Sequence, residues 1–211
     1  MRRPRFIALQ ARHAHGFLGR IVAAIMAAET RVQNECAIEA LGVAPADRVL
    51  DLGCGPGRSL ALLASRAKRG HVTGVDPSGL MVRIARRRNR YLIDSRRVSI
   101  VNAVGHALPF ADGALDKVLC VHVIYFWDDL AENLREIARV LRPGGRLALV
   151  FRSSAHEVAV GAFPEDLYRF RDLRQIADAL SIEGFEVAAQ SMRRDAAGAL
   201  PPHLILATRI Y

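Results

Sequence analysis

Between residues 49 and 64 the chain reads VLDLGCGPGRSLALLA. An apolar run ends in an acid, three glycines follow at alternate positions, and helical apolar spacing begins at once. The run RVLDLG (48–53) is too short for a buried helix and reads as a buried strand. The glycines let the backbone turn tightly and come close to a ligand. Strand, glycine turn and helix together open a βαβ unit. That unit places its loop at the carboxyl end of a parallel strand, where such sheets bind their ligands.

The rest of the chain repeats the alternation. HVTGVD (71–76), RVSIVNAV (97–104) and LDKVLCVHV (115–123) read as further strands. RSLALLASRA and PSGLMVRIARRRNR read as the helices between them, the second entered through Pro77 and Ser78. DDLAENLREIARVL carries Leu130, Leu134, Ile137 and Leu141 on one helical face. Pro143-Gly144 then predicts a type II turn, where glycine takes positive φ cheaply, with a fifth strand from about Arg146 to Phe151. Residues 152–170 match no regular pattern. A helix is expected over about Asp172–Ser181, then two last strands, GFEVAAQS and HLILATRI, joined through the polar hairpin MRRDAAGALPP. The expectation is an α/β domain over 43–211, with helices on both faces of a mostly parallel sheet and an antiparallel pair at one edge. Residues 1–42 form a helical extension, with helices around 17–28 and 30–41, packed on the sheet's open edge or over its mouth.

Composition narrows the function. At 211 residues and 51% hydrophobic content the chain suits one well-cored domain. No segment approaches the roughly 18 apolar residues of a membrane span. The net charge of +9 raises nucleic-acid binding as a candidate. Yet of 30 basic residues only Lys68 and Lys117 are lysines, which points to an arginine-rich genome and not to a surface tuned to phosphate. The densest cluster, from Arg83 to Arg97, reads as a solvated helix face and loop whose carboxyl end points away from the ligand-binding mouth. The arm with Arg2, Arg3, Arg5, Arg12 and Arg20 reads as a basic lead into an amphipathic helix, ahead of a transit peptide. Cys36, Cys54 and Cys120 are odd in number, with no CxxC spacing, so neither a disulfide framework nor a zinc site is expected. A reducing cytoplasm is the expected setting, and no metal is expected.

The loop itself selects the ligand. A dinucleotide fingerprint needs its third glycine where this chain has Arg58. Asp51, inside the strand, would repel a pyrophosphate and attract a cation. Asp76 ends the second strand nineteen residues beyond Gly57, where a carboxylate accepts hydrogen bonds from both hydroxyls of a ribose. A nucleoside with positive charge and no phosphate satisfies both acids, and S-adenosylmethionine is such a molecule.

The segments VLDLGCGPG, VTGVDPSGLM, ALPFADGALDKVL and EIARVLRPGGRLALV, in this order over about 45–152, resemble the class I S-adenosylmethionine-dependent methyltransferases, in particular the small type 11 branch. The resemblance implies a Rossmann-like seven-stranded sheet of order 3-2-1-4-5-7-6 with strand seven antiparallel. It implies S-adenosylmethionine as donor, S-adenosylhomocysteine as product, and a small-molecule methyl acceptor. Asp51 would face the methionine amino end, and Gly53, Cys54 and Gly55 would pass beneath the cofactor. Asp76 would hold the ribose, Pro77 would lie against the adenine, and Val121 and His122 would approach the sulfonium. The family often carries an acid for the adenine amino group where this chain has Val104. Backbone carbonyls, at Gly105 among others, or His106 would substitute.

Methyl transfer needs alignment first, and a base only where the nucleophile holds its proton. The catalytic candidates lie in VHVIYFWDD (121–129): His122 as a base, against a strand-end histidine bonded to backbone, and Tyr125 as a wall for the acceptor. Phe126 and Trp127 read as core packing ahead of a pocket lining. Two other functions remain in view. One is an RNA or DNA methyltransferase, which the charge favours and the missing Asn/Asp-Pro-Pro-Tyr/Phe tetrad opposes. The other is a non-catalytic module that binds the cofactor.

Overall fold

The strand signals resolve into seven strands: β1 (Arg48–Leu52), β2 (His71–Asp76), β3 (Val98–Asn102), β4 (Leu115–Val121), β5 (Leu141–Phe151), β6 (Phe185–Ser191) and β7 (His203–Arg209). They form one sheet of order β3-β2-β1-β4-β5-β7-β6. β1 to β5 pair in parallel, and β7 runs antiparallel to both β5 and β6. This is the expected order and hand of pairing. The computed structural model describes residues 29–192 and 201–211, with single positions ahead of residue 29. Most of the stretch expected to be helical around 17–28, the basic arm and the hairpin tip at 193–200 lie outside the described residues.

Seven helices are described: α1 (Arg31–Leu41), α2 (Ser59–Arg66), α3 (Gly79–Arg88), α4 (Arg90–Asp94), α5 (Leu130–Val140), α6 (Glu157–Ala162) and α7 (Leu173–Ile182). Alternation along the strands sends side chains to two cores. Val49, Leu119, Ala148 and Val150 meet Ile38, Leu41, Leu60, Leu63 and Val82 from α1, α2 and α3. Leu50, Val118, Leu147, Leu149 and Phe151 meet Leu134, Ile137, Ile176 and Leu180 from α5 and α7. With both faces covered, the strands are near-continuous apolar runs. Each fully buried Leu or Ile contributes roughly 1.5–3 kcal/mol. Asp51 falls on the same side as Val49, so at the strand's end its carboxyl is presented to the start of α2.

Side-chain caps set the helix starts. Ser78 Oγ accepts from Met81 N at the head of α3, and Asp129 Oδ1 accepts from Glu132 N at the head of α5. Asp172 and Gln175 close a capping box on α7.

Two expectations are corrected. β5 begins at Leu141, not near Arg146, directly where α5 ends. The register passes from Leu115↔Leu141 to Lys117↔Arg146, so residues 142–145 bulge out of the ladder, and Gly144 takes φ 74° there. Gly144 takes the positive φ expected of it, but within β5 and not in a turn ahead of the strand. Second, of the two placements expected for α1, the open edge is not the one taken and the mouth is reached by its first turns only. Ala37, Ile38 and Leu41 are buried in the core over the middle of the sheet, and the first turns of α1 reach the mouth.

The arginine cluster is partly structural. Arg86 donates to Ile100 O at 2.8 Å, Arg88 to Pro56 O at 2.7 Å, and Arg97 to Ala64 O and Ala67 O at 2.8 and 2.7 Å. Arg88 also lines the cavity described below, so the end of α3 does not point away from the mouth as expected.

Candidate functional site

Beyond the carboxyl ends of β1, β2 and β4 lies a cavity of about 870 Å³. That is within the range of sites for small organic ligands. Its floor is the glycine loop. Gly53, Gly55 and Gly57 all have positive φ, at 73°, 51° and 70°. At Gly53 a Cβ would lie 1.9 Å from Val123 Cγ1, so no side chain fits there. At Gly55 a Cβ would meet nothing within 4 Å, and Gly55 lines the cavity: the missing side chain is part of the ligand space.

The loop is held by short backbone ties. Gly53 N and Cys54 N both donate to Val75 O, at 2.8 and 3.0 Å. Asp76 completes the cradle. Its Oδ2 accepts from Gly55 N and its Oδ1 from Ser78 N, both at 2.9 Å. Its carboxyl is pushed above the usual aspartate range by burial, which these two hydrogen bonds oppose. Each oxygen keeps a lone pair for a ligand hydroxyl.

Asp51 lies deeper. It is 3% exposed, and its carboxylate accepts from Ser59 Oγ. Burial pushes its pKa up to about 7, the Ser59 hydrogen bond holds it down, and the nearby Asp76 charge adds to the rise. No cationic side chain pairs with it among the described bonds, and it lines the cavity. A buried carboxyl in that position favours a ligand that brings the positive charge. Ser59, which opens α2 eight residues after Asp51, was not singled out in the sequence. Its signal was a hydroxyl at the first helical position.

Every expected cofactor residue lines this one cavity: Asp51, Gly53, Cys54, Gly55, Asp76, Pro77, Gly105, His106 and Val121. Val104 lines it too, and no acid stands in its place. Gly105 is packed against α5, where a Cβ would lie 2.5 Å from Asn133 Oδ1. The Cys54 and Cys120 thiols are pushed well up, chiefly by burial, and are correspondingly unreactive. Among the described residues no group of His, Cys, Asp and Glu is placed to hold a metal ion.

The catalytic expectations need revision. His122 lines the cavity but is not free: Nδ1 lies 3.0 Å from Tyr125 Oη and Nε2 2.7 Å from Gln33 Oε1. Burial, with Arg152 nearby, pushes its pKa down to about 3. A ring so placed is a poor proton acceptor. Tyr125 is 5% exposed, and its ring packs on Tyr168 and Phe170 with centroids 5.8 and 4.9 Å away, behind the cavity wall. Its hydroxyl accepts from Arg152 N at 2.6 Å, and burial raises its pKa further from the working range. Phe126 and Trp127, read as core, do face the cavity; both readings hold for Trp127, which is 7% exposed and belongs to the core as well.

The first half of α1 lines the cavity too, through Arg31, Asn34 and Glu35, with Thr30 at its cap. Spacings of three and four put these residues on one face, the signal by which the sequence could have marked them. The stretch 163–171 supports the aromatic wall from behind. Arg171 donates to Ile124 O and Trp127 O, both at 2.7 Å, and Arg169 N donates to Tyr125 O at 3.0 Å.

Comparison with known proteins agrees with this geometry. The family described as "Methyltransferase domain" matches residues 50–149. The uncharacterized methyltransferase YdaC of Bacillus subtilis (strain 168) is 30% identical over 162 residues, 77% of this chain and 84% of that protein. The ubiquinone/menaquinone biosynthesis C-methyltransferase UbiE of Shewanella sediminis is 30% identical over 167 residues, 77% of this chain and 66% of UbiE. In fold, the chain is similar to the putative methyltransferase solved with the Haloferax volcanii Trm112 methyltransferase activator. The TM-score is 0.77 at 22% identity, over 99% of this chain and all of that one.

Proposed function

This chain belongs to the class I S-adenosylmethionine-dependent methyltransferases, and from that premise we propose that it methylates a small, planar organic acceptor held between α1 and the Phe126–Trp127 wall. The observation that carries the cofactor assignment is Asp51, a buried carboxyl facing the cavity with no cationic partner among the described residues. When bound, the donor supplies a methyl group activated by its sulfonium. Asp51 takes the ammonium end, Asp76 the ribose hydroxyls, and the bare backbone of Gly53 to Gly55 leaves room for the chain between them. Pro77 would lie against the adenine, and Gly105 and His106, which line the same cavity, would serve its edge where Val104 stands in place of an acid.

The acceptor then enters from the side of Thr30, Asn34, Phe126 and Trp127. The donor would supply the methyl carbon, its sulfide leaving with the bonding electrons, and a phenol or quinol acceptor would release its proton to water, since His122 and Tyr125 are engaged elsewhere. The protein contributes alignment and exclusion of water. An aromatic wall facing a polar helix suits a flat ring that carries polar substituents. UbiE, a relative over three quarters of this chain, is named for a quinone pathway, which supports a ring of that kind. The reducing cytoplasm is the proposed setting, supported by Cys36, Cys54 and Cys120, all free thiols. No helix among the described residues is long and apolar enough to cross a membrane.

The test is a calorimetric titration with S-adenosylhomocysteine, followed by a screen of phenols and quinols for methyl transfer. Asp76→Ala loses roughly 1–3 kcal/mol of binding, the cost of removing a charged hydrogen-bond partner. Unchanged affinity in the folded variant removes the assignment.

A further inference from the structure

We propose that Gln33, His122 and Tyr125 form a positioning relay that fixes the first turns of α1 over the acceptor half of the cavity, with His122 serving as its middle link and not as a base. This rests on the methyl-transfer reading only in calling that half the acceptor's.

The backbone at His122 gives the first indication. Its φ is 58°, and among the described residues Arg96 alone shares a positive φ without being glycine. Such a conformation is held where surrounding contacts over-determine it. His122 N donates to Val150 O at 2.8 Å, which keeps the residue at the end of the β4–β5 ladder while its chain turns. The turn aims the imidazole between α1 and Tyr125.

An inventory of protons fixes the ring's state. Tyr125 Oη accepts from Arg152 N, so its single proton is left for His122 Nδ1. With Gln33 presenting its oxygen, which donates nothing, Nε2 is assigned the ring proton and donates it. The ring is therefore a neutral Nε2–H tautomer with both nitrogens in use. Protonating Nδ1 would reverse the Tyr125 bond, leave the Tyr125 proton without that acceptor, and charge a buried ring beside Arg152.

The relay joins four elements around the cavity: α1 through Gln33, the end of β4 through His122, the following turn through Tyr125, and the exit of β5 through Arg152. The need for it lies in α1. Its second half is anchored by Ala37, Ile38 and Leu41 in the core and by Arg146 donating to Ala40 O at 3.2 Å. Its first half is polar and lines the cavity, with Arg31 and Glu35 paired at 3.5 Å in an exposed position, a weak hold. Gln33 supplies a fixed tie where apolar packing has ended.

The experiment uses the whole chain without acceptor. Nitrogen-15 spectra of the His122 ring show the neutral Nε2–H form unchanged from pH 5 to 9, and Tyr125→Phe shifts the Nδ1 signal. Gln33→Met speeds amide exchange at residues 34–36 by about tenfold, the weight of one hydrogen bond, and leaves residues 38–41 unchanged. Gln33→Glu, which keeps the accepting oxygen, restores the slow exchange. A His122 ring that titrates between pH 5 and 8, or exchange at 34–36 that Gln33→Met does not alter, overturns the relay. S-adenosylhomocysteine affinity, read in Asp76→Ala, tests the methyl-transfer reading separately, since that variant leaves the relay's spectra as they are.

Discussion

The two halves of the cavity are built by different means. The cofactor half is made of backbone: glycine φ angles, amides donating to Val75 O, and Asp76 accepting from Gly55 N and Ser78 N. Its partners lie within about 25 residues of each other, at the ends of adjacent strands. The acceptor half is made of long side chains reaching distant backbone or one another: Gln33 to His122 across 89 residues, Arg171 to Ile124 O across 47 and to Trp127 O across 44. The first construction allows one ligand shape. The second holds a wall that changes of single residues can reshape, as suits a family with one donor and varied acceptors.

The largest expected effect tests how little the cofactor half tolerates. Gly53→Ala puts a Cβ 1.9 Å from Val123 Cγ1 at a φ of 73°. Strain and overpacking together cost roughly 2–5 kcal/mol of stability, and S-adenosylhomocysteine binding is lost with it. Gly55→Ala separates the two causes. Its Cβ meets no protein atom, so stability falls by no more than the backbone cost, roughly 1–3 kcal/mol, while binding still fails because the methyl group occupies ligand space. Denaturant unfolding and calorimetry on both variants decide this. If Gly55→Ala binds normally, the loop is not the cofactor's floor.

This contrast also explains what the sequence disclosed. VLDLGCGPG and VTGVDPSGLM place Asp51, the glycines and Asp76 because local rules govern them: a strand's period, a turn's φ, a cap at Ser78. The sheet order followed from alternation and family resemblance. The start of β5 escaped, because a strand resumed after a bulge looks the same in sequence as a strand begun after a turn. Tyr125 was misplaced because a 3₁₀ turn at Ile124–Phe126 rotates it away from the cavity and brings Phe126 round to face it. Residues 152–170 stayed unread because their one helix, α6, is only six residues long, too short to show a period, and the stretch after it is held by Arg169 N and the Arg171 guanidinium reaching carbonyls of another segment. Gln33 was hidden for the latter reason.

A middle-sized effect concerns charge. The folded pKa of Asp51, about 7, lies above its ordinary value of 3.8. A raised acid stabilises the empty protein below the ordinary value, and that contribution is lost as pH rises from about 4 through about 7. Binding runs the other way. A cationic ligand end requires the ionised carboxylate, so below about pH 7 S-adenosylhomocysteine affinity falls by up to about tenfold per unit. Asp51→Asn flattens both profiles. Thermal melts of the empty protein and titrations over pH 5–8 check the two signs. Parallel profiles in wild type and variant would mean that the ammonium is met elsewhere.

The smallest expected effect asks whether the acceptor wall can be loosened while the cofactor floor stays intact. Arg171→Met removes the guanidinium that holds Ile124 O and Trp127 O, each at 2.7 Å. Those carbonyls are left to water, at a cost of about 2 kcal/mol, the usual weight of charged hydrogen bonds left unmade. Burial already lowers the Arg171 pKa from its ordinary value, so the group is partly desolvated and methionine fills its apolar stem without loss. Trp127 is the one tryptophan in the chain, and it lines the cavity, so its emission reports the wall directly. The variant's emission shifts to the red as the indole gains water. S-adenosylhomocysteine affinity stays within about twofold, because Asp51 and Asp76 share no partner with Arg171 and separate sites act additively. An affinity loss as large as that of Asp76→Ala would show instead that the two halves are one mechanical unit, with the turn at 124–127 setting the loop through the packing of Val123 against Gly53.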